Sequence, residues 1–308
     1  MNTASGDDTR FVADYTWGGQ NTLITRSVVG QLIGQFYGYQ VIGRFEKASD
    51  MYMTNDKGDV VRTPVFTTSG GNLLPIDEGA GVWIGDYIYK DQLTVDTNGD
   101  GIPDAGDGKI DEKDRTFIGN PEPKFTYGMN NNFTFKNWDL GIQLVGVYGN
   151  DVVNYARRYM DDPYFSITNL FTRALDYAKL DLIDPNGPND YRNVKIIGGD
   201  PKAPRLSLSS ATDGHNYAFS DRFVEDGSYL RIQNVSLAYN FPKSWFRHAG
   251  IGNLKLYVNL QNLYTFTKYK GFDPKIGTSG TGSFRTTGID AGRYPSPRIY
   301  TFGLNLVF

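Results

Sequence analysis

Cysteine is absent from the 308 residues, which excludes a disulfide framework, thiol catalysis and any zinc site built on thiolates. Histidine is nearly absent as well: His215 and His248 are the whole complement, and they do not form a metal-binding pair. No GxSxG elbow and no phosphate-cradling glycine loop is present. Acidic residues are plentiful, but nothing marks two of them as a glycosidase pair. Neither sign of charge dominates. Lys plus Arg number 31 against 34 Asp plus Glu, a formal net charge of −3, so there is no electrostatic basis for nucleic-acid binding. The first residues, Met1 to Thr9, are polar and include Asp7 and Asp8, unlike a signal peptide. No apolar run reaches the ~18 residues of a membrane-crossing helix, a criterion that does not bear on membrane strands. These absences point away from an enzyme.

What the chain has is aromatic residues and glycine: 21 Tyr, 19 Phe and 36 Gly. Ring-bearing side chains suit a pleated surface, and glycine suits turns and bulges. The strands announce themselves by alternation. In the last one, Tyr300, Phe302, Leu304, Leu306 and Phe308 share a face opposite Thr301, Gly303, Asn305 and Val307. Leu254, Leu256, Val258 and Leu260 oppose Lys255, Tyr257, Asn259 and Gln261. Val235, Leu237, Tyr239 and Phe241 oppose Asn234, Ser236, Ala238 and Asn240. Phe125, Tyr127, Met129, Phe133 and Phe135 oppose Thr126, Gly128, Asn130, Asn132 and Thr134, with Asn131 breaking the apolar row. Trp138, Leu140, Ile142 and Leu144 oppose Asp139, Gly141 and Gln143, and Val145 and Val147 blur the far end. Alternation of this kind suits a half-buried soluble sheet and a membrane wall equally.

Connection lengths separate the two. Only Lys136 and Asn137 lie between Phe135 and Trp138, a hairpin turn. A long connection follows Tyr148, then a short link around Pro242 to Gly252, then a long Gly/Thr-rich loop from Lys268 to Pro297. Short and long connections in alternation are the habit of bacterial outer-membrane barrels, whose periplasmic turns are tight and whose extracellular loops are long. That parity puts the C-terminus on the periplasmic side. It also sets Trp138, Tyr239 and Trp245 near the periplasmic strand ends, as an interfacial girdle. The fold class is therefore all-β: strands of a large antiparallel transmembrane barrel with long extracellular loops. Within the long connection, Ile167, Leu170, Phe171, Ala174, Leu175 and Ala178 recur at helical spacing, predicting one short amphipathic helix.

The densest chemistry lies in an acidic loop at residues 94–123, extracellular by the same parity. Asp96, Asn98 and Asp100 fall at positions 1, 3 and 5 of an EF-hand-like loop, with Gly101 at the turn position. Ile102 would offer its carbonyl, and Asp104 and Asp107 fall at positions 9 and 12. A second phase through Asp107, Asp111 and Asp114 overlaps it and is incomplete by itself. The spacing predicts a structural Ca2+ site, with a solvated acidic loop as the other reading. Weak extracellular affinity, on the order of 10⁻⁴ to 10⁻³ M, would suffice.

At these segments a family resemblance emerges. Residues 220–243 (SDRFVEDGSYLRIQNVSLAYNFPK), 252–275 (GNLKLYVNLQNLYTFTKYKGFDPK) and the tail 294–308 (YPSPRIYTFGLNLVF) resemble hallmark stretches of the SusC/RagA family of TonB-linked outer-membrane transporters. So do 30–44 (GQLIGQFYGYQVIGR), 107–128 (DGKIDEKDRTFIGNPEPKFTYG) and 202–208 (KAPRLSL). The matches run in order from about residue 26 to 308. The resemblance implies a plugged barrel of about 22 strands in the outer membrane of a Bacteroidota-like Gram-negative bacterium. It implies import of glycan or peptide fragments, driven by the TonB complex and shared with a SusD-like surface lipoprotein. Phe308, closing the strand that carries Tyr300, Phe302, Leu304 and Leu306, looks like the signal read by the barrel-assembly machinery. In the family the acidic loop is one compact DxNGDG; here Ile102 to Gly106 split it.

No TonB box, plug or first half of the barrel is found, so residues 1–308 are expected to be the C-terminal portion of a barrel: a truncation, or one half of a split barrel. Alone, its outer strands would leave backbone groups unpaired in lipid. The competing reading is a secreted calcium-stabilised β adhesin with its apolar faces buried against each other. A hydrolase is a distant third.

Overall fold

The computed structural model describes residues 10–13, 23–28, 30–55, 57–161, 169–206, 216–246, 250–275 and 287–308. Both histidines and Ile167 lie outside them. The described residues are mostly strand and irregular backbone, with little α-helix (Ala156–Met160 and residues 216–217) and several 3-10 turns. No helix among them is long and apolar enough to cross a membrane, which leaves strands untouched as a means of crossing. The chain divides into two compact units: Met1–Gly119, Val153–Val224 and Thr281–Thr286 in one, Asn120–Val152, Glu225–Gly280 and Thr287–Phe308 in the other.

The second unit holds the five long strands: β1 (Phe125–Phe135), β2 (Trp138–Tyr148), β3 (Tyr229–Asn240), β4 (Asn253–Thr267) and β5 (Ile299–Val307). They form one antiparallel sheet in the order β5-β4-β3-β2-β1. The β1–β2 turn is the two-residue hairpin expected, and Lys136 takes a left-handed φ of 53° there, the hand that suits a tight hairpin. The alternation holds across every ladder. Phe135 faces Trp138, Trp138 faces Tyr239, Tyr239 faces Leu256, and Leu256 faces Leu304.

Two features were invisible to simple alternation. The β2–β3 register shifts between Gln143 and Leu144, and the β3–β4 register shifts between Ile232 and Asn234. Against β2 the extra residue is Gln233; against β4 it lies on β4, where Asn262 and Leu263 stand opposite Gln233 alone, and Asn262 has a φ of 52°. A strand period of two would otherwise send every residue beyond this point to the wrong face. The bulge absorbs one residue, so Leu230 and Ile232 rejoin the face of Val235 and Leu237. It also resolves the blurred end of β2: Leu144 pairs with Ile232 on the apolar side, while Val145 pairs with Arg231 on the other.

The first unit is built from short strands and has its own dry core. Phe45, Met51, Val65, Val82, Trp83, Ile84 and Val194 pack together, and Tyr39, Tyr87, Tyr89 and Ile110 form a second cluster. The long connection after β2 corrects the helix expected there. An α-helix lies at Ala156–Met160, while the described part of the predicted segment, residues 169–178, holds a 3-10 turn at Thr172–Asp176. Ala174 and Ala178 are buried, but Leu175 is 69% exposed and Leu170 is exposed too, so no continuous apolar face exists. The five-residue turn is too short to express a 3.6-residue period, and the spacing was fortuitous. Thr116–Gly119, inside the stretch read as acidic loop, is a strand that pairs with Gln35–Gly38.

Candidate functional site

The five-stranded sheet has two faces of opposite chemistry. One carries Phe125, Tyr127, Met129, Phe133 and Phe135 from β1, and Trp138, Leu140, Ile142 and Leu144 from β2. Leu230, Ile232, Val235, Leu237 and Tyr239 follow from β3, then Leu254, Leu256, Val258, Leu260, Tyr264 and Phe266 from β4, and Tyr300, Phe302, Leu304 and Leu306 from β5. This face has no cover. Phe302 is 75% exposed and Phe135 68%. Each such side chain contributes about 1.5–3 kcal/mol on leaving water, and a soluble monomer seldom tolerates so broad an apolar patch. The strands have 9 to 15 residues, matching the ~9–11 that a tilted membrane strand needs.

Aromatic rings gather at both ends of this face. At the short-turn end Trp138 lies 4.7 Å from Tyr239, Tyr239 lies 4.9 Å from Phe241, and Phe241 lies 5.8 Å from Trp245. The structure thus links the three residues picked as a girdle through Phe241. At the other end Phe125 stacks on Tyr148 at 5.1 Å, and Tyr264 meets Phe266 edge-on at 4.7 Å.

The opposite face carries Asn130, Asn132, Gln143, Asn234, Ser236, Asn259, Gln261, Thr301 and Asn305, with Gly128, Gly141 and Gly303 between them. The glycine at 303 is required by its neighbour: a Cβ there would sit 2.1 Å from the Tyr257 ring, which lies flat across it. Towards the loop end this face is covered, and Arg231 is only 2% exposed.

In the first unit, the acidic loop divides the spacing-derived ligands between two turns. Asp96 accepts from the Gly99 and Gly101 amides at 2.6 and 2.7 Å, Asn98 from Asp100 at 2.9 Å, and Asp100 from Ile102 at 2.8 Å. Gly101 has a left-handed φ of 85°, as a turn glycine there should. Asp104 accepts from both the amide and the hydroxyl of Thr97 at 2.8 Å and closes this turn. These amides hold the Asp96 carboxyl below the usual range, and Thr97 does the same for Asp104.

Asp107 belongs to the second turn. Its carboxylate lies 3.8 Å from Lys109 Nζ, which lies 3.3 Å from Asp111; Asp111 first and Asp107 next raise the Lys109 pKa. Asp114, 1% exposed, accepts from Gln92 and Asp111 amides at 2.8 and 2.7 Å. Burial pushes its pKa up to about 6 against those two hydrogen bonds, and Asp91 and Asp107 add repulsion. Asp91, missed in the sequence, accepts from the Asp107 and Gly108 amides at 3.2 and 2.8 Å. Its carboxyl shares a hydrogen bond with Asp114, and burial raises its pKa as well. Among the described residues, no three His, Asp or Glu side chains converge in a way that could hold a metal ion.

A buried hub was also missed. Arg205 grips Asp86 through two nitrogens at 2.7 and 3.1 Å, Asn216 donates to Asp86 at 2.8 Å, and the Trp83 amide donates at 2.8 Å. Arg205 Nη1 also reaches the Glu78 carbonyl at 3.0 Å. Only its place in the KAPRLSL segment hinted at a role. All of these groups fasten loops together, and none forms a nucleophile–base arrangement.

Comparison with known proteins agrees with the two-faced sheet. No protein-family model matches the chain. TonB-dependent receptor P3 of Formosa agariphila is 29% identical over 282 residues, covering 91% of this chain and 22% of that receptor. TonB-dependent receptor SusC of Bacteroides thetaiotaomicron is 28% identical over 229 residues, covering 72% of this chain and 19% of SusC. The structure of the RagAB peptide importer in its closed-closed state matches with a TM-score of 0.57 at 19% identity, over 98% of this chain and 25% of that one. The chain thus spans about a fifth to a quarter of the length of these relatives. These relatives are named as receptors and importers, not as enzymes. In sequence the chain is similar to TonB-dependent receptors, SusC among them, and in fold to the RagAB importer.

Proposed function

We propose that the chain is a section, C-terminal by its motifs, of an outer-membrane importer: five wall strands with the loop structures that join them. The observation that carries this is the continuous uncovered apolar face backed by an amide-rich one. The first suits lipid and the second a wet lumen. The long loop structures then lie outside the cell and the C-terminus lies in the periplasm. The outermost strands β5 and β1 need further strands to satisfy their backbone in lipid. The rest of a barrel supplies them, and the last strand presents Tyr300 to Phe308 to the assembly machinery.

The RagAB neighbour is a peptide importer. Asn, Gln and Thr on the inner face suit peptides and glycans alike, since both are rich in hydrogen-bonding groups. Energy from TonB and a SusD-like lipoprotein partner are the family's arrangement, taken here as part of the proposal. Calcium in the first turn, at Asp96, Asn98, Asp100, Ile102 and Asp104 but without Asp107, would be structural and would require these carboxylates to turn from the amides they now accept.

The test is fractionation of the native host, probed with an antibody against Arg298 to Phe308. Signal in the outer membrane supports the importer. Signal in a soluble or secreted fraction would overturn it in favour of a calcium-stabilised adhesin.

A further inference from the structure

The two described limbs of the connection from β4 to β5, residues 268–275 and 287–298, meet the loop end of the polar face at Arg231, and one carboxylate gathers them there. Arg231 stands on that face of β3, buried, with Nε donating to Thr265 Oγ1 at 2.8 Å on neighbouring β4. Its Nη2 pairs with Asp273, which is in the descending limb of the connection. Asp273 also accepts from the Lys275 amide at 2.9 Å in the same limb, and from the Ser296 amide at 3.1 Å in the returning limb. Two further fastenings lie beside it. The Tyr269 hydroxyl donates to buried Asp290 at 2.6 Å, and Asn262 Nδ2 donates to the Pro297 carbonyl at 3.0 Å. On the edge strand β1 the polar face is open, with Asn130, Asn132 and Thr134 exposed.

We propose that Asp273 is a clasp that ties the two described limbs of the β4–β5 connection, residues 268–275 and 287–298, to Arg231, making these limbs a fixed cover over the loop end of the polar face and not a moving lid. A buried guanidinium left without its carboxylate is costly, so the clasp stays shut through ordinary fluctuations. If the polar face lines a lumen, as proposed above, the cover is part of its fixed outer rim. That clause rests on the importer reading, whereas the clasp stands on the contacts alone.

Hydrogen exchange on the full-length protein tests it, comparing the unaltered protein with Asp273→Asn. The expected result is at least tenfold faster exchange at the Lys275 and Ser296 amides, with the central β4 amides around Val258 unchanged. Arg231→Gln attacks the same contact from the wall side and serves if Asp273→Asn does not assemble. Unchanged exchange in both limbs would overturn the clasp. So would equal loss across β3 and β4, because Asp273 would then support the sheet and not the connection. Finding the protein outside the outer membrane would sink the importer and leave the clasp standing.

Discussion

The two units solve the problem of apolar side chains in opposite ways. In the loop-rich unit Phe36, Phe45, Ile84 and Ile110 are fully buried, as in a protein that folds against water. In the sheet, Phe133, Phe135, Trp138, Leu256, Phe302 and Leu304 stand exposed and most of the amides occupy the other side. The hydrophobic effect organises both, but the apolar medium of the first is its own core, and that of the second has to come from outside the chain. Position along the strand, not hydrophobicity itself, therefore says which environment a residue meets.

The contrast can be broken from either side. The largest expected effect is Asp86→Ala, which leaves the buried Arg205 guanidinium uncompensated and should cost about 3–5 kcal/mol. Differential proteolysis should show the loop-rich unit opening while the sheet amides keep their protection. Next comes Phe302→Arg, on the exposed apolar face. If that face meets lipid, the cost is about 2–4 kcal/mol near the bilayer centre, read as lost heat-resistant folded barrel on a gel. Thr301→Arg, one residue along, should assemble normally. Equal behaviour of the two variants would remove the distinction between the faces.

Much of this contrast was legible in the sequence. The bounds of β1 and β2 followed from alternation and the two-residue turn, and the apolar row of β5 from its period. The bulge at Gln233 was not, because a single unpaired residue looks like an interruption until both partner strands are in place. The helix expected near residue 170 failed for the opposite reason: a few apolar residues matched a period without enough length to enforce it. Asp86 and Arg205 lie 119 residues apart in sequence, and no local pattern reports such a pair. Asp91 escaped notice because it precedes the Asp-Gly repeats whose amides it binds.

Smaller effects sharpen the picture of the acidic loop. A carboxyl whose folded pKa is raised stabilises when protonated, and that contribution is lost as pH rises through the folded pKa. With Asp114 near 6, protection factors in the turn at residues 107–114, corrected for the base-catalysed intrinsic rate, should be higher at pH 5 than at pH 7.5, and Asp114→Asn should flatten that dependence. Retained pH dependence in that variant would assign it elsewhere. Smallest is calcium: titration into the full-length protein should slow exchange at Gly99 to Ile102 only at about 10⁻⁴ to 10⁻³ M. No change at those amides up to that range would leave the loop held by its own hydrogen bonds.

The central claim, lipid on one face and water on the other, has a direct readout, since these 308 residues contribute no cysteine of their own to a single-cysteine scan. Single cysteines placed in turn from Leu254 to Gln261 can be spin-labelled in the full-length protein in a bilayer. Collision rates are then measured with oxygen, which concentrates in lipid, and with a water-soluble nickel complex. The account predicts strict alternation, with oxygen winning at 254, 256, 258 and 260 and nickel at 255, 257, 259 and 261. Nickel access at Leu256 and Val258 equal to that at Tyr257 and Asn259 would contradict it.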